Sequence, residues 1–192
     1  MKKRLGMRGK VEEIIYVRLE PGEDFVHALW DICKEYEIKT GVLLDATGNF
    51  AKVRLMRISR EPRRDNWGVD FVEMSGPLQV SMTGILGTGW NPNNLPATPD
   101  FHRHYSDTGF GAGGWEEHGS PYFKINITAS NVSETACGHL LQGSLVGAVN
   151  YDRSGVKAEL PSHFTVAIAK VSGVILRGTF GENGFYHDLV PA

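Results

Sequence analysis

Two periodicities alternate along the chain. Residues 13–19, Glu-Ile-Ile-Tyr-Val-Arg-Leu, are rich in β-branched and aromatic side chains and run into Pro21-Gly22, which predicts a strand closed by a turn. Phe25, Leu29, Ile32, Cys33 and Tyr36 then recur at spacings of four, three, one and three, the stripe of a helix with one apolar face; Gly22 to Asp24 supply its cap and first-turn carboxylates. After the helix the pattern returns to period two. Residues 39–46 predict a short apolar strand, Gly48-Asn49 a turn, and residues 51–57 an alternating strand with arginines on its second face. Residues 71–77 and 78–82 predict two strands bent at Gly76-Pro77, and 122–130, 140–150, 164–169, 174–180 and a short 186–190 complete the set. Several mostly antiparallel strands with one main early helix make the fold class α+β.

Between residues 87 and 120 neither period holds. Glycine, proline and histidine are frequent there, with Trp90, Phe101, Tyr105, Phe110 and Trp115 between them. Loops this long inside a compact domain are lids, binding loops or disordered segments, and the aromatic content argues for order because such rings are poorly left in water. A length of 192 residues fits one domain, here 1–192, with this stretch as an insertion.

A hydrophobic share of 41% beside 22% charged residues is that of a globular protein, and no long unbroken apolar run is present to cross a membrane. The basic start lacks the apolar core of a secretory signal, so a cytoplasmic location is expected. Cys33 and Cys137 are far apart and in no Cys-x-x-Cys arrangement, which suggests neither a disulfide framework nor a thiolate zinc site. A net charge of −2 and a pI near 6.4 lean against nucleic acid, which calls for a basic stripe. The exceptions are local: Lys2, Lys3, Arg4, Arg8 and Lys10 at the start, then Arg54, Arg57, Arg60, Arg63 and Arg64.

Several segments carry a family resemblance by their order and spacing. They are Leu19-Glu20-Pro21-Gly22-Glu23-Asp24, Ala46-Thr47-Gly48-Asn49-Phe50 ahead of a strand with Arg54, Met74-Ser75-Gly76, Gly138-His139-Leu140 and Gly184-Phe185. Through them the chain resembles the plants-and-prokaryotes-conserved (PPC) domain family from about residue 12 to 190. The resemblance implies a homotrimer built around an antiparallel sheet and a fold similar to that of acetolactate decarboxylase, a zinc enzyme. Relatives usually carry a His-x-His pair on the strand before Gly-His-Leu, and in metal-containing members these histidines look like the ligands. Here Lys124 and Asn126 stand where the pair would be, and only His139 remains. Plant members attach an Arg-Gly-Arg-Pro type hook that grips DNA; no such hook is found here, so a DNA-binding regulatory role is the alternative reading rather than the favoured one.

Zinc asks for several converging N, O or S donors, and a protonated lysine is not an ordinary ligand. No cofactor is therefore favoured; a rebuilt site for zinc or another divalent metal would draw on His102, His104 and His118 of the insertion. The metal-free reading makes Lys124 a desolvated general base or Schiff-base amine with His139 as its proton shuttle, and lets Asp70 orient a base. Asn126, Arg54, Trp90, Tyr105 and Trp115 would contact the substrate, the aromatic residues closing an apolar lid over a small, planar molecule. Together these expectations describe a small-molecule lyase performing proton abstraction, decarboxylation or carbon–carbon cleavage. Against them stand plainer readings, an exposed lysine on a polar strand face and acidic residues that simply pair with arginines such as Arg54.

Overall fold

The first apolar run forms β1 (Lys10–Arg18) and the helical stripe forms α1 (Phe25–Glu35) in a computed structural model that describes residues 4–58, 69–88, 122–153, 156–160, 164–181 and 184–192. Asp24 caps the helix: its backbone is extended and its carboxylate accepts the N–H groups of Val26 and His27 at 3.0 and 3.1 Å. Phe25, Val26, Ala28, Leu29, Ile32 and Cys33 form the buried face that the spacing required.

β2 (Gly41–Thr47), β3 (Asn49–Ile58), β4 (Val69–Gly87), β5 (Tyr122–Ser130), β6 (Thr135–Leu140), β7 (Leu145–Val146) and β10 (Thr165–Ser172) join β1 in an eight-stranded sheet. Its order is β1-β10-β2-β4-β5-β6-β3-β7, with every pair antiparallel. Because β3 also pairs with β4, the strands β3, β4, β5 and β6 close on one another. Two hairpins lie outside this sheet, β8 (Val149–Arg153) with β9 (Val156–Leu160) and β11 (Ile175–Gly181) with β12 (Gly184–Val190). Among the described residues the architecture is the mostly antiparallel sheet with one helix that the sequence predicts.

Two boundaries differ from the sequence pattern. The bend at Gly76-Pro77 does not divide two strands; β4 runs through it with a cis bond. Proline has no N–H for a ladder, and these two residues fall where the β3 register shifts between Phe50 and Lys52, so the missing donor interrupts no pair. The strand expected from residue 140 starts earlier, at Thr135, and stops at Leu140. A turn follows in which Gly143 has φ +89°, a conformation that ends the extended run despite its apolar Leu140-Leu141.

The core lies between α1 and the inward side of the sheet. Phe25, Phe50 and Phe164 meet in a triangle with ring centroids 5.0–5.6 Å apart, and burial of each such ring contributes roughly 2–3 kcal/mol. On β5 the buried positions are Phe123, Ile125, Ile127 and Ala129, which leaves the alternate positions on the outer face. Among the described residues no helix is long and apolar enough to cross a membrane.

Candidate functional site on the outer face

Lys124, Asn126 and Thr128 are the exposed, outward positions of β5. Asn126 stands directly opposite His139 of β6, and His139 in turn opposite Met56 of β3. Opposed residues of an antiparallel pair project to the same side, so Lys124, Asn126 and His139 share one face, with Lys124 and His139 diagonal neighbours about 7–8 Å apart. Cys137 occupies the same face two residues before His139 and is exposed. His139 is half-buried, with its Nδ1 out of contact with solvent.

Glycine explains why the histidine comes so close to β3. A Cβ on Gly138 would run into the backbone oxygen of Met56, so the bare backbone lets β6 lie against β3 and sets His139 beside Met56. Beyond Leu140 the turn is clasped from two sides. Gly143 donates its N–H to the second carboxylate oxygen of Asp24, Phe25 N–H reaches the Ser144 carbonyl at 2.9 Å, and the His27 ring meets the Gln142 amide. From β3, the Arg54 guanidinium donates to the Gln142 carbonyl at 2.9 Å and its backbone N–H to Ser144 Oγ at 2.9 Å. Ser144 Oγ donates to the Leu141 carbonyl at 2.8 Å, so this fully buried hydroxyl is satisfied. Helix start, β3 and the turn after His139 thus form one hydrogen-bonded unit.

Arg54 lies on the outer face but is engaged, with its Nε 3.7 Å from Glu73, which also pairs with Lys52 at 2.9 Å. Asp70 is not brought to the strip: it stands opposite Arg57, 3.9 Å from that guanidinium, at a β4 position of the inward-facing set. Trp90, Tyr105 and Trp115, and the alternative ligands His102, His104 and His118, lie outside the described residues. At the two positions where the resemblance expects metal ligands, the chain presents an exposed ammonium and an exposed carboxamide. Lys124, Asn126 and His139 therefore do not fit a zinc site. Among the described residues no group of three or more His, Cys, Asp or Glu side chains is placed to hold a metal ion. Cys33 is chemically quiet, because burial pushes its thiol up to about 12.

The sequence pattern did not point to the clasp. Asp24 signals a helix cap, but nothing local indicates that its other oxygen reaches Gly143, more than a hundred residues later. Met56 likewise enters the neighbourhood of His139 through strand order alone.

Comparison with known proteins places the geometry in a family. A family model described as the Plants and Prokaryotes Conserved (PCC) domain matches residues 7–114, a span that ends before Gly138-His139-Leu140. Solved structures extend the likeness over nearly the whole chain. A metal-containing protein of Archaeoglobus fulgidus is 16% identical, with 94% of this chain and 95% of that one covered at a TM-score of 0.57. A plant- and prokaryote-conserved protein of Pyrococcus horikoshii is 11% identical, with 94% of each chain covered and a TM-score of 0.58. A Ralstonia eutropha protein with a provisional DNA-binding label is 13% identical, covering 93% and 90% at a TM-score of 0.54. At these identities the likeness establishes the fold. No curated protein sequence matches the chain.

Proposed function

We propose, since this chain belongs to the Plants and Prokaryotes Conserved (PCC) domain family, that it binds a small organic molecule on the outer face of its sheet and acts on it as a lyase. Lys124 and His139 are the acid/base pair, for proton abstraction or carbon–carbon cleavage, and Asn126 orients the substrate. The observation that carries this reading is strand register: Asn126 and His139 are directly opposed, and Lys124 follows two positions along the same face. A catalytic base must come within hydrogen-bond reach of the proton it takes, and an imidazole suits that transfer near neutral pH. The clasp around the turn gives His139 a fixed backbone, and Arg54 serves the site by holding that turn.

Among the described residues of a single chain this face is open. Ile14, Tyr16, Val42, Leu44 and Phe71 are exposed there at 50%, 70%, 36%, 48% and 41%, more apolar surface than a free sheet face usually carries. A homotrimer, as the resemblance implies, would cover part of it and withdraw Lys124 from water. The two free thiols, Cys33 and Cys137, fit a reducing cytoplasm.

The test follows C–H exchange of small carbonyl compounds in deuterated water by NMR. His139→Gln should slow exchange by about 10²–10⁴-fold; a variant as fast as the parent on every responsive compound removes the catalytic role. Borohydride trapping on Lys124 separates a Schiff base from a simple acid/base amine.

DNA binding is the second reading, favoured by the provisional labels of two structural neighbours and by exposed Arg4, Arg8 and Lys10. Lys52, Arg54 and Arg57 give it little support, since each already faces a carboxylate. Low-salt gel shifts that vanish when residues 1–10 are removed would favour it.

A further inference from the structure

Carboxylates answer most cations on the described strands. Lys52 and Arg54 share Glu73, Arg57 meets Asp70, Lys170 meets Glu13 and Arg177 meets Asp188. Lys124 differs. Its exposed side chain makes no ion pair among the described residues, and Glu73 and Asp70 of β4 are engaged with Lys52, Arg54 and Arg57.

Register shows what surrounds it. Ile14, Ala169, Val42 and Ile85 stand opposite one another in turn across β1, β10, β2 and β4, and this apolar row ends on Lys124. A second row leads from Asn126 through His139 to Met56 and Phe71. One ammonium and one carboxamide therefore lie between two apolar stretches of the same face.

We propose that this strip binds a small carboxylate with an apolar body, its oxygens on the Lys124 ammonium and the Asn126 amide and its body along Ile85 and Val42. The inference rests on the outer face being the ligand site and deepens that reading by naming the substrate class. An ammonium offers three donors and no acceptor, and the amide adds two donors. A charge-assisted bond to a carboxylate is about twice as strong as a neutral one. An ammonium also disfavours a metal ion beside it, in keeping with the poor fit of these residues to zinc. Lone pairing with one ammonium beside aliphatic side chains suits an apolar monoanion better than the doubly charged phosphate, which recruits several cations.

Calorimetric titration of the full chain with benzoate, its neutral analogue benzamide and inorganic phosphate tests this. Benzoate is expected to bind at least about tenfold more tightly than either of the others, and Lys124→Met, at an exposed position that folding does not need, should erase the difference. Absent benzoate binding, equal binding of benzoate and benzamide, phosphate binding as tight as benzoate, or a preference that survives in Lys124→Met overturns the proposal. Should the preference depend on Lys124 while His139→Gln leaves C–H exchange untouched, the carboxylate site stands and the lyase reading falls.

Discussion

Phe123, Ile125, Ile127 and Ala129 on one side of β5 are exposed by 2% or less, whereas Lys124, Asn126 and Thr128 on the other are open to solvent. The inward set belongs to one buried core with residues of α1, β3 and β10, and a close-packed interior resists a change in any of its members. The outward set is exposed among the described residues, so its identities can change at little cost to the fold. That contrast explains how β5 can carry Lys124 and Asn126 at the positions where the resemblance implies histidines and still take its place in the sheet. It also separates the parts of the molecule where substitution reads out as stability from the strip where it reads out as binding.

The sharpest way to break the contrast is to damage the inward side. Phe164→Ala removes one corner of the aromatic triangle and should cost about 3–5 kcal/mol in chemical denaturation; a loss below about 1 kcal/mol would mean that the triangle does not carry the core. Asp24→Ala comes next, at about 2 kcal/mol, because it removes both the helix cap and the bond to Gly143. Asp24→Asn should restore much of the cap, and equal losses in the two variants would contradict that role.

Cys33 offers a pH test of the same side. Burial raises its thiol from the ordinary 9.0 to about 12, so above pH 9 the unfolded chain releases a proton that the folded chain keeps. Stability from this group is complete below pH 9 and is lost as pH rises towards 12, by about 1.4 kcal/mol per pH unit. Cys33→Ala should flatten that part of the denaturation midpoint profile, and an unchanged slope would show that the thiol titrates freely. The smallest effect is expected on the outer side. Lys124→Met should shift stability by no more than about 0.5 kcal/mol, whatever it does to ligand binding; a larger change would show that the strip is structural.

The helix was legible because its spacing, its Asp24 cap and its end near Tyr36 agree with one another. Strand β5 was legible to the residue, since its alternation is unbroken from Tyr122 to Ser130. The division of β4 into two strands was not, because a Gly-Pro pair is a local breaker and only the β3 register reveals that no ladder bond is lost there. For the site, Lys124, Asn126 and His139 could be singled out individually, but Asp70 shows the limit of that reading. One step of register decides which face a strand residue joins, and here it pairs Asp70 with Arg57 away from the strip.

By itself the chain of residues determined the α+β class, the amphipathic helix and the alternating faces of single strands, because those depend on local periods of 3.6 and two. Tertiary structure decided which strands became neighbours. It set His139 between Asn126 and Met56, closed Asp24 on Gly143 and left Lys124 without a carboxylate among the described residues. Such pairings join residues from about a dozen to more than a hundred positions apart, and their free energy comes from a packed sheet whose order no local pattern encodes.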